Sequence, residues 1–156
     1  MSVNPIPEGY HSVTPYITVS DAAAAIEFYK QGFGATEALR LPMGDRIAHA
    51  EIRIGDSYVM LSDEFPEMDR LGPDKRGGAT AAFMIYVEDV DAAFAGAIAA
   101  GGTEERAVQD QFYGDRSGTL KDPFGHSWTL STHVEDVSEV EIQRRMQSMA
   151  QPTEPA

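Results

Sequence analysis

The chain has 156 residues, enough for one domain or two small fused halves, and its 42% hydrophobic content suits a packed core. It carries 25 acidic against 12 basic residues, a net charge of −13, which argues against nucleic acid and anionic membranes because both recruit basic surfaces. Because it has no cysteine, disulfides, thiolate zinc sites and cysteine nucleophiles are excluded, and because no apolar run approaches the ~20 residues of a membrane span, we expect a cytoplasmic protein.

The first half of the chain predicts a strand, a helix and three further strands within a module at residues 10–62. Residues 13–19 are rich in β-formers, and Ser20 or Asp21 can cap a helix that ends at Gly34. Three strands should follow this helix, at 36–41, 46–54 and 57–62.

The second half predicts the same succession. Residues 63–79 are acidic and rich in proline and glycine, which is typical of a connector. A second module at 80–133 then begins with a strand at 80–87 and a helix at 91–100. Three further strands are predicted near 104–112, 116–121 and 126–132.

The residues at 134–156 predict a C-terminal helix and a disordered tail. Ser138 and Glu141 have the spacing of a capping box, and the disorder should begin at Pro152. The following helix has an apolar stripe formed by Ile142, Met146 and Met149. This stripe can pack on the protein's own body or on a partner subunit, and the sequence favours neither.

The two halves also repeat each other in sequence. Val19-Ser20-Asp21 and Val87-Glu88-Asp89 each open a helix, and Ile54–Leu61 aligns without gaps to Phe124–Ser131. A repeat of this length indicates one supersecondary unit used twice, which predicts an α+β fold. Two such units meeting face to face would enclose a cleft, and ligands bind in clefts of this kind.

These ordered motifs resemble the vicinal oxygen chelate superfamily, which includes glyoxalase I, extradiol dioxygenases and bleomycin-resistance proteins. The resemblance is carried by Thr14–Val19, Ala25–Tyr29 and Asp122–Trp128, and the segments His49–Glu51 and Gln111–Arg116 are similar to its PhnB-like branch. It implies paired βαβββ modules that curve into an open eight-stranded barrel, with the ligand on the concave face. It also implies a homodimer, and in some members of the superfamily the cleft is formed by residues of both chains.

In the enzymes of this superfamily, a divalent metal is held by His, Glu or Gln side chains from the first and last strands of each module. The resemblance places these positions at Thr14, Val59, Ala82 and Thr129, with Leu61 replacing Val59 if the register shifts by two. Divalent cations need imidazole or carboxylate ligands, which none of these residues provides. The sequence therefore predicts that the family's metal site is absent and that the protein has no cofactor.

Other polar and aromatic residues are candidates for the ligand site. Strand alternation and the resemblance together predict a ligand site formed by Thr14, Tyr16, His49, Glu51, Phe112, Tyr113, Arg116, Thr129 and Ser131. Arginine is included because its fork of donors suits carboxylate or phosphate groups. Trp128 is expected in the core instead.

Three functions remain open on the sequence. The first is a metal-free binding protein that holds a small, partly aromatic or cationic molecule. The second is a glyoxalase- or dioxygenase-like enzyme with a displaced Zn, Ni, Mn or Fe ion on His49 and Glu51, completed by His126 or His133. The third is a metal-free acid–base enzyme in which Glu51 and His49 are the catalytic candidates.

Overall fold

The computed structural model describes residues 3–150, and the predicted disorder from Pro152 onward lies outside them. The first module contains β1 (Tyr16–Val19), α1 (Ala22–Phe33), β2 (Thr36–Met43), β3 (Arg46–Ile54) and β4 (Ser57–Asp63). The connector contains a single 3-10 turn, Pro66–Met68, and the short helix α2 (Pro73–Arg76). The second module and the C-terminal helix comprise β5 (Ala82–Tyr86), α3 (Val90–Ala99), β6 (Thr103–Asp110), β7 (Asp115–Lys121), β8 (Ser127–His133) and α4 (Glu139–Ala150).

The two long helices begin in the same way because the repeated aspartates cap them. The side chain of Asp21 accepts a hydrogen bond from the Ala24 amide at 2.9 Å, and Asp89 accepts one from Ala92 at 3.1 Å. Each bond satisfies an amide that has no partner in the first helical turn. α1 ends at Gly34, whose φ of 66° is favourable for glycine.

The eight strands form two four-stranded sheets with matching topology. The first sheet has the order β1-β4-β3-β2 and the second the order β5-β8-β7-β6. In each sheet the first and last strands of the module pair in parallel, and the remaining pairs are antiparallel. The predicted α+β fold of paired βαβββ modules is therefore confirmed. β1 is shorter than predicted, since it begins after Pro15, which has no amide hydrogen to contribute to the ladder.

One apolar core joins the two modules through the faces of the sheets that carry the helices. The rings of Tyr29 and Phe33 in α1 contact the ring of Trp128 in β8, with centroids 5.4 and 4.9 Å apart. The Tyr29 hydroxyl also donates to buried Asp122 at 2.6 Å. Trp128 is 1% exposed, as expected for a core residue. We call the opposite side of each sheet its open face.

The gap-free sequence alignment assigns the wrong face to one predicted position. Val59 and Leu61 are 5% and 0% exposed and lie on the helix-bearing face of β4. Their neighbour Met60 pairs with Tyr16, and Thr129 pairs with Met84. Tyr16 and Met84 each lie three residues before the valine that opens the repeated motif. Met60 is therefore the structural counterpart of Thr129. The alignment is displaced by one residue because the β3–β4 turn is shorter than the β7–β8 turn. The alternation of residues along a strand does not reveal this difference in turn length.

The C-terminal helix begins where the capping box predicts. The Ser138 hydroxyl accepts a hydrogen bond from the Glu141 amide at 3.3 Å. Met146 and Met149 in the apolar stripe remain 60% and 70% exposed, so these two residues do not pack on the chain's own body. None of the described helices is long and apolar enough to span a membrane.

Candidate ligand-binding site

Two strands of the first module, β1 and β3, place polar side chains at the middle of its open face. Alternation along β3 directs His49 and Glu51 away from the core, while Ala50 and Ile52 between and beside them are fully buried. Glu51 pairs with Met60 of β4, and Tyr16 pairs with Met60 from the other side. The predicted residues Tyr16, His49 and Glu51 are therefore brought together.

A chain of hydrogen bonds links these side chains. The Tyr16 hydroxyl lies 2.9 Å from His49 Nδ1, and His49 Nε2 lies 3.0 Å from Glu51 Oε1. The second carboxylate oxygen of Glu51 accepts a hydrogen bond from the hydroxyl of Tyr10. We call these four residues the Glu51 network. Every polar atom in it has a partner, which lets a carboxylate remain in a largely covered position.

Burial and hydrogen bonding act in opposite directions on Glu51. Its side chain is only 13% exposed, and this burial raises its pKa. Hydrogen bonds from Tyr10 and His49 outweigh the burial and bring the pKa of Glu51 below its ordinary value. The same bond raises the pKa of Tyr10 to about 12, because an ionised phenol could not donate to Glu51. At neutral pH the site therefore presents a carboxylate with a phenol donor beside it.

An N-terminal arm, residues 3–12, covers part of this face. The ring of Tyr10 stacks on that of Tyr58 with centroids 4.1 Å apart and an angle of 9° between the planes. Sequence reasoning did not identify either tyrosine as a site residue, since this contact joins segments far apart in the chain. A cavity of about 430 Å³ lies between the arm and the sheet. It is lined by Pro5, Ile6, Pro7, Tyr10, His11, Ser12, Thr14, Glu51 and Met60.

The positions that hold a metal in the superfamily's enzymes do not fit one here. In the structure they are Thr14, Met60, Ala82 and Thr129, with Met60 replacing the predicted Val59. Two hydroxyls, a thioether and a methyl group offer neither the charge nor the basicity that a divalent cation requires. Among residues 3–150 there is also no group of three His, Asp or Glu side chains that could hold a metal ion.

The two histidines proposed as a third metal ligand are engaged elsewhere. His126 Nε2 lies 2.9 Å from the Thr18 carbonyl oxygen, at the contact between the modules. His133 lies in the second module, between Asp115 and Asp136, at 2.8 Å from each carboxylate. Neither histidine joins the Glu51 network.

Thr129 and Ser131 lie on the open face of the second module instead of joining the first. The Thr129 hydroxyl is 2.9 Å from that of Thr119, and Ser131 donates to Asp115 at 3.1 Å. The cavity beside Glu51 is lined by the arm and the first module, so it contains no residue of the second. The predicted ligand residues that lie on β-sheet open faces are thus divided between the two modules.

The predicted arginine clamp faces a different direction. Arg116 lies on the helix-bearing side of β7 and makes two hydrogen bonds of 2.8 Å to Asp91 at the start of α3. It also donates to Asp110 at 3.0 Å. Phe112 and Tyr113 lie in the β6–β7 loop, where Arg145 of α4 donates to the Phe112 carbonyl. These three residues therefore serve local structure and do not approach Glu51.

A larger cavity of about 700 Å³ lies where the two modules meet. Apolar residues of both halves line it, among them Val13, Val59, Phe83 and Ile85. Its ionisable side chains are Asp56, which is 85% exposed, Tyr58 and Tyr86. We therefore place the candidate chemistry at the smaller cavity, which contains the largely covered carboxylate of Glu51.

Comparison with known proteins decides the family. The model of the Glyoxalase/Bleomycin resistance protein/Dioxygenase superfamily matches residues 9–130, which include both modules. The chain belongs to this superfamily. Among its relatives, the uncharacterized protein Mb0911c of Mycobacterium bovis is 42% identical over 141 residues, which cover 88% of this chain and 93% of that protein. Protein YjdN of Escherichia coli is 24% identical and covers 76% of this chain and 93% of that protein.

Solved structures share this fold. TioX from Micromonospora sp. ML1 has a TM-score of 0.62 and 25% identity, covering 82% of this chain and all of that one. A glyoxalase/bleomycin resistance protein/dioxygenase family enzyme from Burkholderia phytofirmans PsJN also has a TM-score of 0.62, with 21% identity over 78% of this chain and 97% of that one. The second likeness concerns the fold alone.

Proposed function

We propose that this superfamily member is a metal-free small-molecule-binding protein whose ligand lies on the open face of the first module, beside Glu51. One observation carries the proposal. The positions of the family's cation hold hydroxyl, methyl and thioether groups, while the open face of the first module retains a covered carboxylate whose two oxygens are both hydrogen-bonded. The scaffold thus keeps a polar site without the ligands that a divalent metal ion requires.

The charge of the site limits the kind of ligand it takes. An ionised carboxylate accepts hydrogen bonds and donates none, so Glu51 selects a donor group or a cation. The net charge of −13 favours the approach of cationic molecules at low ionic strength. The cavity of about 430 Å³ suits a small organic molecule.

A binding screen that locates the bound molecule tests the proposal. Amide NMR spectra of the full chain are recorded with EDTA against a library of small aromatic and cationic compounds. We expect binders to shift the amides of His49, Glu51 and Thr14, and Glu51→Ala to weaken binding about tenfold or more, as for a lost charge-assisted hydrogen bond. The matched control is Thr119→Ala, at the counterpart of Glu51 in the second module, which should leave affinity unchanged.

Metal analysis separates this proposal from the displaced-metal alternative. We expect freshly purified protein to contain no stoichiometric transition metal, and its melting temperature to be unaffected by EDTA. One bound ion per chain that is lost in His49→Ala would contradict the proposal and favour a metalloenzyme. The acid–base alternative is less favoured, since a lowered pKa makes Glu51 a weak general base.

We also propose that the chain forms a homodimer, lies in the cytoplasm and belongs to the PhnB-like branch. The dimer is supported by apolar side chains on the open faces, where Tyr16, Met84 and Tyr86 are 46%, 49% and 62% exposed. Such a surface is typical of an interface. Light scattering should give twice the chain mass, and Met84→Glu should halve it; a monomeric wild-type protein would contradict the dimer.

A further inference from the structure

We propose that Tyr10 occupies the place of the ligand, and that the ligand is a flat aromatic molecule carrying a hydroxyl or similar hydrogen-bond donor. The inference rests on the proposed function, because it names the ligand class of that same site. In this view the N-terminal arm closes the site, and the ligand opens it by displacing the Tyr10 side chain.

The contacts of Tyr10 are those that an aromatic ligand would make. Its ring stacks on Tyr58 at a centroid distance of 4.1 Å, nearly parallel to it. Its hydroxyl donates to the Glu51 oxygen that His49 does not contact. The Tyr58 ring offers a flat surface for stacking, and Glu51 offers a carboxylate acceptor at one end of that surface. Together they fit a planar molecule with a hydrogen-bond donor at its edge.

The arm is weakly attached to the rest of the protein. Residues 3–9 are exposed, including Val3 at 89% and Ile6 at 51%. Besides the contacts of Tyr10, it is attached through His11 Nε2, which lies 3.2 Å from the Asp56 carbonyl oxygen in an exposed position. Gly9 also lies against the Tyr58 ring. A segment with so few buried contacts can leave the sheet at small cost, as a displaceable cover must.

Glu51 gives the site its preference for a donor. It is largely covered, and one of its carboxylate oxygens loses its hydrogen bond when Tyr10 moves away. An apolar ring in the place of Tyr10 would leave one carboxylate oxygen without a hydrogen bond, which is unfavourable. A phenol restores the bond that Tyr10 made, and an unsubstituted hydrocarbon of equal size does not.

The proposal is tested with p-cresol, which is the side chain of tyrosine as a free molecule, and with toluene, which lacks the hydroxyl. Binding of both to the full chain is measured by calorimetry and by amide shifts. We expect Tyr10→Ala to bind p-cresol at least about tenfold more tightly than the wild type, because the competing phenol is gone. Toluene should gain little, and adding Glu51→Ala should remove the gain for p-cresol.

Tyr113→Ala is the matched control, because Tyr113 lies in the β6–β7 loop away from the Glu51 network. It should bind both probes as the wild type does, and circular dichroism should show each variant folded. Equal affinity of Tyr10→Ala and wild type for p-cresol would overturn the proposal, as would an equal gain for toluene. A library compound that binds beside Glu51 in the wild type would then still support the proposed function, so the two failures are distinguishable.

Discussion

The open faces of the two modules differ in chemistry although their strands follow the same order. Glu51 and His49 lie at the middle of the first face, and the residues at the same register of the second are Thr119 and Ser117. Neutral hydroxyls thus replace a carboxylate and an imidazole. The comparison indicates that this topology does not require a carboxylate and an imidazole at these positions, since the second module has the same strand order with hydroxyls there.

The second face has its own charged cluster, located at the strand ends. Asp115 accepts hydrogen bonds from Tyr86 and Ser131, and it lies 2.8 Å from His133 Nδ1. The neighbouring Gly114 carbonyl accepts the amides of residues 134 and 135 at 2.9 Å. This cluster therefore fastens the segment that leads to α4. The first face is available for a ligand, whereas the second anchors the chain.

The largest difference in stability between the two modules should come from substituting the glycine that lies between the second and third strands of each. A Cβ on Gly114 would lie 2.1 Å from the Glu135 carbonyl oxygen, and its φ is 106°. A Cβ on Gly44 would meet nothing within 4 Å, at a φ of 65°. We expect Gly114→Ala to lower the free energy of unfolding by about 3 kcal/mol and Gly44→Ala by about 1 kcal/mol, measured by urea denaturation.

Similar losses in the two variants would contradict the anchoring role of the second loop. Proteolysis tests the anchoring role independently, because release of the C-terminal segment should expose that segment to cleavage. Gly114→Ala should be cut near residues 134–138 faster than the wild type, and Gly44→Ala should not.

Removing the covered carboxylate of each face, Asp115 or Glu51, should give the next largest difference in stability. Asp115 is 4% exposed, and Asp115→Ala leaves Tyr86, buried Ser131 and His133 without their acceptor. Unpaired buried donors cost about 2 kcal/mol. Glu51→Ala should cost about 1 kcal/mol or less, because Tyr10 and His49 can turn to water. Urea denaturation measures both, and a larger loss for Glu51→Ala would make its network structural instead of functional.

Much of the fold could be predicted because its signals are local. Asp21, Asp89 and Gly34 act within one helical turn of their own positions, so their residue types suffice to locate the ends of α1 and the start of α3. The register of β4 within the repeat depends instead on the length of the β3–β4 turn relative to the β7–β8 turn of the second module. The sequence therefore predicts Val59 at a position that Met60 occupies in the structure.

The site was predicted in part for the same reason. Strand alternation placed His49 and Glu51 on one face, which is a property of neighbouring residues. The contact of Tyr10 with Glu51 spans 41 residues and belongs to an arm without secondary structure, so no pattern predicts it. Arg116 was misplaced although a signal existed. It alternates with Asp115 and Ser117 and shares its side of β7 with fully buried Leu120, which points it toward α3.

The smallest effect we expect is a dependence of stability on pH, caused by His133 in the charged cluster of the second face. Hydrogen bonds to Asp115 and then Asp136 raise the pKa of His133 above its ordinary value. A raised pKa in the folded state means that the charged imidazole stabilises the fold fully below the unfolded value of about 6.5. This contribution is lost as the pH rises through the higher folded value.

Asp115 remains ionised across that range. Burial raises its pKa, but hydrogen bonds from His133, Tyr86 and Ser131 outweigh burial and lower the pKa overall. The contribution of Asp115 is therefore lost only as the pH falls through this lowered value, well below the titration of His133. Between these limits the imidazole carries its charge between two carboxylates.

We therefore expect the free energy of unfolding of the wild type to fall as the pH rises above about 6.5, and this slope to flatten in His133→Gln. The change should be modest, because the His133 side chain is 53% exposed and solvent screens it. His11→Gln is the matched control, since His11 is an exposed histidine on the first module and has no contact with the second cluster. If His11→Gln removed the slope and His133→Gln kept it, the pH response would belong to the arm, and the second face would no longer be the charged anchor of the chain.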